Sequence, residues 1–342
     1  MLSKQPIVSA VMSAYNGATL IGETLESILS QRLQEIEVIV INDASTDDTL
    51  EVLESFKDPR VRVYSNKQNL GVSATRNHGV QLAQGEFVAM SDQDDLSLPE
   101  RFEQQVQFLR ERDDVVLAAA GAKELRAGKL SSRYIGELRS YLVHWRMFTR
   151  GGIVHSSVCF RRHVFLDEGI KYNEDLQYAD DFDVFHQFAR VGKMVVLPQE
   201  LLIYREHEGA NSRLHTKKMI KNGQRSLLAQ YQNFLGLKPT ADEIALLWRT
   251  FCEKQLCSSV DKLCDAGNLY FDAFEAFVRR SSLDSNEYRQ LHDWVQTDWQ
   301  SVVASHVRGH RSYQWARALQ VANRPGLRRP TALKWLAALA GR

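Results

Sequence analysis

Short apolar runs alternate with amphipathic stretches along the first third of the chain. Ile7-Val8-Ser9-Ala10-Val11-Met12 reads as a buried strand, and Ser13-Ala14-Tyr15-Asn16-Gly17 as the turn after it. From Thr19 to Gln31, Leu20, Ile21, Leu25, Ile28 and Leu29 share one side, which predicts a helix. Ile36–Ile41 reads as a second strand, Thr49–Phe56 as a helix and Val61–Tyr64 as a third strand. A polar loop, Ser65 to Gly71, leads into a helix over Val72–Ala83. Phe87–Met90 is a fourth strand, Pro99–Arg112 a long helix and Val115–Ala120 a fifth strand. This alternation predicts an α/β fold, a mostly parallel sheet with helices on both faces and right-handed crossovers. After Gly121 the rhythm stops. Tyr141–Phe148 reads as a half-buried helix, Ile153–Phe160 as a strand, and Tyr178–Phe185 opens a helix that reaches Arg190. Lys193–Leu197 is a further strand, and Leu202–His207 leads into a loop ending at Asn211-Ser212. Farther on, Leu227, Leu228, Tyr231, Phe234 and Leu235, then Leu246, Leu247, Trp248 and Phe251, recur at helical spacing. Two regions are expected: a domain over residues 1–213 and a helical C-terminal region over 214–342.

Chemistry concentrates at predicted strand tips. Asp92-Gln93-Asp94-Asp95 places three carboxylates at the C-terminal end of the fourth strand, where open α/β sheets bind ligands. Mutual repulsion makes such a cluster costly unless a cation shares it. With no His or Cys nearby in sequence, the cation would be a hard one, Mg²⁺ or Mn²⁺. The alternative is a solvated acidic loop ahead of the helix start at Pro99-Glu100. Asp43, at the tip of the second strand, suits a ribose hydroxyl or a base N–H. Alternatively it joins Asp47 and Asp48 in capping the next helix. The first turn lacks G-x-G-x-x-G and no G-x-x-x-x-G-K-[ST] occurs, which argues against a dinucleotide dehydrogenase and a P-loop NTPase.

Taken together, several stretches resemble the family 2 glycosyltransferases, whose fold is called GT-A. They are Pro6-Ile7-Val8-Ser9 with Tyr15-Asn16, Asn42–Thr49, Asn69–Asn77, Gly85–Asp95, Ala179-Asp180-Asp181-Phe182-Asp183 and Tyr204-Arg205-Glu206-His207, in the family's order. The likeness covers roughly residues 5 to 213. It implies a metal-dependent, inverting hexosyltransferase that uses a nucleoside diphosphate sugar, with UDP as carrier. The acceptor would be a glycan or lipid-linked glycan, as in bacterial surface-polysaccharide assembly. By the same resemblance, Ser13 and Tyr15 lie over the base, Asp43 pairs with it and Arg76 lies near the nucleotide. Asp94 and Asp92 hold Mn²⁺ or Mg²⁺, Asp92 alternatively the ribose. Asp181 matches the general base, and Asp180 stands where the family usually has Glu. His207 completes the metal site or meets the diphosphate, and Arg205 clamps the diphosphate. Competing readings are a nucleotidyltransferase and a non-catalytic nucleotide-sugar-binding protein of the same fold. The glycine-rich basic loop expected of the former is missing after Met12.

Composition adds surroundings. With 342 residues, 44% hydrophobic and 25% charged, the chain is an ordinary globular protein, and its net charge of +1 gives no reason to expect nucleic acid as a partner. Cys159, Cys252, Cys257 and Cys264 follow neither a zinc nor a redox spacing, and Cys252 and Cys257 are expected on a helix as core thiols. Met1 leads almost directly into the first strand with no signal-peptide pattern, and no apolar run is long enough to span a membrane, so a cytoplasmic setting is expected. Residues 301–342 hold seven Arg and one Lys without a single acid. Tyr313–Leu319 and Thr331–Leu339 read there as basic amphipathic helices suited to an anionic leaflet, which predicts peripheral contact with the inner face of the membrane.

Overall fold

The computed structural model describes residues 5–132, 138–151 and 153–310. The first half is built from β1 (Val8–Ala14), α1 (Ile21–Leu29), β2 (Ile36–Asn42), α2 (Thr49–Ser55), β3 (Val61–Ser65), α3 (Val72–Leu82), β4 (Phe87–Asp92), β5 (Leu96–Ser97), α4 (Arg101–Arg110), β6 (Val115–Arg126) and β7 (Lys129–Ser132). There follow α5 (Ser140–Met147), β8 (Val158–Arg161), α6 (Arg162–Asp167), α7 (Asp180–Val191) and β9 (Lys193–Glu206). The helices α8 (Asn211–Leu214), α9 (Thr216–Gln230), α10 (Ala241–Phe251), α11 (Val260–Arg280) and α12 (Ser285–His310) complete the described chain. Contacts divide it into two compact units. One comprises residues up to His144 with Gly152–Gly223, the other Trp145–Gly151 with the chain from Gln224 onward.

In the first unit the described strands form one nine-stranded sheet in the order β3-β2-β1-β4-β8-β6-β9-β5, with β7 beside β6. β1 runs parallel to both β2 and β4, and β2 parallel to β3. Alternation along β1 supplies both cores. Val8, Ala10 and Met12 join Ile21, Leu25, Phe102 and Leu109 in one buried cluster. Val11 lies on the other face under α3, so close to Gly79 that a Cβ there would come within 2.5 Å of it.

Two sequence expectations change, and the sheet order adds a feature on which the alternation is silent. β8 is inserted between β4 and β6, antiparallel to both, so the sheet is mixed from there on. The strand expected from Ile153 starts only at Val158, because His155–Ser157 forms a 3-10 turn. Ser157 Oγ donates to Val154 O (2.7 Å) and Ser156 Oγ donates to Asp95, so the serines bind elsewhere than along a ladder. The segments Lys193–Leu197 and Leu202–His207 are one strand, β9, paired parallel to β6. Its register slips where residues 197–199 stand opposite Ala120, and Pro198 sits in that irregularity, where no ladder hydrogen bond is lost.

The second unit has an aromatic core. Trp145 meets the rings of Tyr270, Phe274 and Phe277 edge-on at 5.4–5.7 Å, and Phe251 stacks on Tyr270 at 4.5 Å. Tyr270 donates to Asp298 Oδ2 (3.1 Å), and Oδ1 of the same carboxylate pairs with Arg150. Thr240 and Glu243 form a reciprocal capping box at the start of α10. Cys252 ends that helix and Cys257 lies beyond it, buried, so these thiols do not share a helix. Among the described residues no helix is long and apolar enough to cross a membrane. The expected basic helices at 313–319 and 331–339 lie outside the described residues.

Candidate active site

The parallel strands β1, β2 and β4 end side by side, with Ser13 opposite both Ile41 and Asp92. Their C-terminal tips carry the predicted residues to one edge of the sheet, because helices begin beyond those tips and the chain must turn there. Asp43 is buried. It accepts from Asn66 Nδ2 (2.7 Å), Leu70 N (2.9 Å) and Gly71 N (2.8 Å), so it ties down the loop between β3 and α3. It does not cap α2; Asp47 bonds there instead, accepting from Thr49 N (3.1 Å) and Ala18 N (3.2 Å). Tyr15 is exposed, and its backbone is clasped by the Gln93 amide, which accepts from Tyr15 N (2.9 Å) and donates to Tyr15 O (3.1 Å). The clasp joins the turn after β1 to the acidic turn after β4.

The carboxylates after β4 have three different surroundings. Asp92 Oδ1 accepts from Arg76 Nη2 (2.9 Å), and His155 Nδ1 stands 3.5 Å from the same oxygen. Burial pushes the Asp92 carboxyl up, but the Arg76 guanidinium and His155 outweigh it and hold it well below the usual carboxylate range. Asp94 Oδ2 lies 3.0 Å from His207 Nε2, and burial and then Asp92 raise its pKa. Asp95 is fully buried, accepting from Ser156 Oγ and from Arg205 N (3.0 Å). Burial, then Asp94 and Asp92, push it up to about 8. It faces the protein interior as a tie between β9 and the 3-10 turn.

Arg76 is the hub between the two acidic clusters. It is buried on α3, and its Nη1 donates to Asp180 Oδ2 at 3.0 Å, while Tyr172 lies under the guanidinium at 5.6 Å. Asp180 is thereby paired and buried. Asp181, next along α7, is half-buried, accepts from its neighbour Phe182 N (2.9 Å), and is pushed up to about 6 by burial and by Asp180. Arg205 points inward. Its Nη2 donates to Leu20 O (3.1 Å) and Thr24 Oγ1 (2.8 Å), its Nε to Asp94 O, and its Nη1 to Glu23 (2.5 Å). The geometry therefore couples β9 to α1 and to the acidic turn through this side chain.

Sequence reasoning did not find Tyr172 or the Gln93 clasp, and it grouped Asp95 with Asp92 and Asp94 as one acidic cluster. No local pattern marks Tyr172, whose partners lie far off along the chain.

The comparisons with known proteins bear on the family and the fold. The family description "Glycosyl transferase family 2" matches residues 9–167. An uncharacterised glycosyltransferase of Haemophilus influenzae is 30% identical over 246 residues, 68% of this chain and 76% of the relative. The succinoglycan biosynthesis protein ExoO of Rhizobium meliloti is 28% identical over 62% of this chain, which spans 64% of ExoO. Among solved structures, S. aureus TarS 1–349 in complex with UDP-GlcNAc has a TM-score of 0.58 at 18% identity, covering 92% of both chains. The mannosyltransferase PcManGT of Pyrobaculum calidifontis, in complex with GDP-Man and Mn²⁺, has a TM-score of 0.55 at 16% identity, covering 93% and 84%. The chain belongs to glycosyl transferase family 2, and its fold is GT-A.

Proposed function

We propose that the chain moves a sugar, with inversion, from a nucleoside diphosphate sugar to a hydroxyl of a glycan or lipid-linked glycan. The carrier in this reading is UDP. The observation that carries the proposal is Asp181. A general base works best when it is ionised at the working pH yet retains basicity, and a carboxyl raised to about 6 meets both needs. Its second oxygen takes the acceptor proton as the acceptor oxygen bonds to the anomeric carbon and the diphosphate departs from the opposite face. Asp180 does not share this work, because Arg76 holds it. Asp43 orders the loop against which the base lies, with Ser13 and Tyr15 from the first turn. Arg76 serves by fixing Asp92 and Asp180, and Arg205 by holding the acidic turn in place.

Among the described residues no group of three His, Cys, Asp or Glu side chains is set to hold a metal by itself. Asp94 and His207 nonetheless fit a divalent ion as a pair. Both are partly exposed, and a carboxylate with an imidazole suits Mn²⁺, with the donor's own oxygens completing the set. Among the described residues Asp92 Oδ2 meets no donor, and in this reading it faces the same ligand. When bound, Mn²⁺ or Mg²⁺ would neutralise the leaving diphosphate. The nucleotide-sugar complexes of TarS and PcManGT, the latter with Mn²⁺, support this reading. ExoO, a succinoglycan biosynthesis protein, supports a surface-polysaccharide acceptor. The acid-free residues 301–342 support contact with the anionic inner face of the membrane.

The test is a donor panel scored by nucleoside diphosphate release, with Mn²⁺, Mg²⁺ or EDTA. Turnover that needs the metal and is lost in Asp181→Asn and Asp94→Ala is expected. Full turnover in both variants, or release of pyrophosphate in place of nucleoside diphosphate, would overturn the proposal.

A further inference from the structure

Behind Asp92 lies a buried histidine to which the reaction above gives no task. His155 is 7% exposed, and its Nε2 stands 3.0 Å from the hydroxyl of Tyr172, which is itself fully buried. The ring is held edge-on to Tyr172 at 5.5 Å and tilted against Phe185 at 6.3 Å, so its plane is set by packing. Among the described residues its Nδ1 has no hydrogen-bond partner, and it stands 3.5 Å from Asp92 Oδ1.

A neutral imidazole donates from one nitrogen and accepts at the other. Two arrangements satisfy the Tyr172 contact. In one, Tyr172 O–H donates to Nε2, and the ring proton sits on Nδ1 facing Asp92. In the other, Nε2–H donates to the tyrosine oxygen, and the bare Nδ1 lone pair faces a carboxylate. The second sets two acceptors against each other in a buried place and leaves Nδ1 unsatisfied, which is costly for a buried polar group. The first turns the same contact into an attraction. Oδ1 of Asp92 then lies between two N–H groups, Arg76 Nη2 at 2.9 Å and His155 Nδ1 at 3.5 Å. Its other oxygen has no partner among the described residues.

We propose that Tyr172 and His155 are positioning residues that act through Asp92. The tyrosine hydroxyl selects the Nδ1–H tautomer of His155, and that N–H joins Arg76 in holding Oδ1, which leaves Oδ2 presented to the diphosphate-ribose end of the donor. The ligand's identity rests on the function proposed above, whereas the tautomer does not. Gln at 155 can reproduce both contacts, its carbonyl accepting from Tyr172 and its amide donating to Asp92. Phe fills the space and makes neither.

The experiment uses the full chain with ¹⁵N-labelled histidine, the His155 resonances being assigned by their loss in His155→Gln. A protonated Nδ1 is expected. UDP binding in MnCl₂, read by titration calorimetry, is expected to weaken ten- to hundredfold in His155→Phe, the usual effect of losing a group that orients a ligand-binding side chain. It should stay within about threefold of wild type in His155→Gln and fall between the two in Tyr172→Phe. Thermal melting checks that each variant is folded. A protonated Nε2, wild-type affinity in His155→Phe, or a Gln variant no better than the Phe variant would overturn the proposal. If wild type binds no UDP, the donor assignment fails, and the ring tautomer alone still decides the relay.

Discussion

Asp92, Asp94 and Asp95 are near-identical in sequence context and unlike in chemistry, since a carboxyl is defined by what surrounds it. Asp95 is the case with the clearest thermodynamic consequence. Its folded pKa, about 8, lies above its unfolded value, so the folded state keeps a proton that the unfolded chain gives up. Stability from this group is therefore full below the unfolded pKa and is lost as pH rises towards 8. Asp95→Asn keeps an acceptor for Arg205 N and a donor for Ser156. In EDTA it is expected to be more stable than wild type at pH 8 by at least about 1.4 kcal/mol, the worth of one pH unit of proton uptake. The difference should vanish near pH 4 in urea melts. Asp181 sets a second pH dependence. kcat/KM is expected to fall about tenfold per pH unit below about 6 as the base is protonated. In Asp181→Asn the limb should disappear, with kcat lowered roughly 10²- to 10⁴-fold. Removing Arg76 takes the guanidinium partner from two acids, one of them fully buried. Arg76→Met is expected to cost about 3–5 kcal/mol in urea unfolding.

Strands and loops determine where these groups stand. β9 carries Arg205, whose backbone N–H reaches Asp95 across 110 residues of sequence and whose side chain reaches α1. Arg205→Met should both destabilise the first unit, by about 2–4 kcal/mol from several lost charged hydrogen bonds, and weaken UDP binding by loosening the acidic turn. Thermal melting and calorimetry read the two effects separately. The loop held by Asp43 depends on Gly71, which has φ of +88° and would put a Cβ 2.6 Å from Gln177 Nε2. Gln177 cannot move freely, because Lys218 donates to its amide oxygen (2.6 Å) and Asn222 to its backbone oxygen (3.0 Å). Gly71→Ala is therefore expected to cost about 1–2 kcal/mol for the left-handed backbone alone, seen as a lower melting temperature, and to raise the KM for donor.

Over the whole molecule, charge bears on the proposed metal. Asp92 and Asp94 stand near Arg76 and Arg205, both already engaged by protein partners, and near Arg101, which lies wholly inside and is lowered to about 10 by burial. Adding the diphosphate of a donor to this edge brings more negative charge. Turnover is accordingly expected to vanish in EDTA and to return with Mn²⁺ above the chelator, as measured by nucleoside diphosphate release.

The hydrophobic alternation was enough to read β1 to β4, their helices and the acids at their tips, because period-two and period-3.6 patterns are local and the C-terminal end of a parallel strand is a fixed place in such a sheet. The Asp181 cluster and Asp43 were legible as motif positions. What the fold alone decided is which of these acids is buried and paired and which is left partly exposed. Asp95 turned inward because β9 and the turn at Ser156 arrive from distant sequence to bind it. β8 lies between β4 and β6, antiparallel to both, and no sequence period records pairing partners. Tyr172, Arg205 and the Gln93 clasp acquire their roles through contacts across scores of residues. Side-chain pattern encodes the face a residue takes within its own element; electrostatic environment arises only when separate elements close around it.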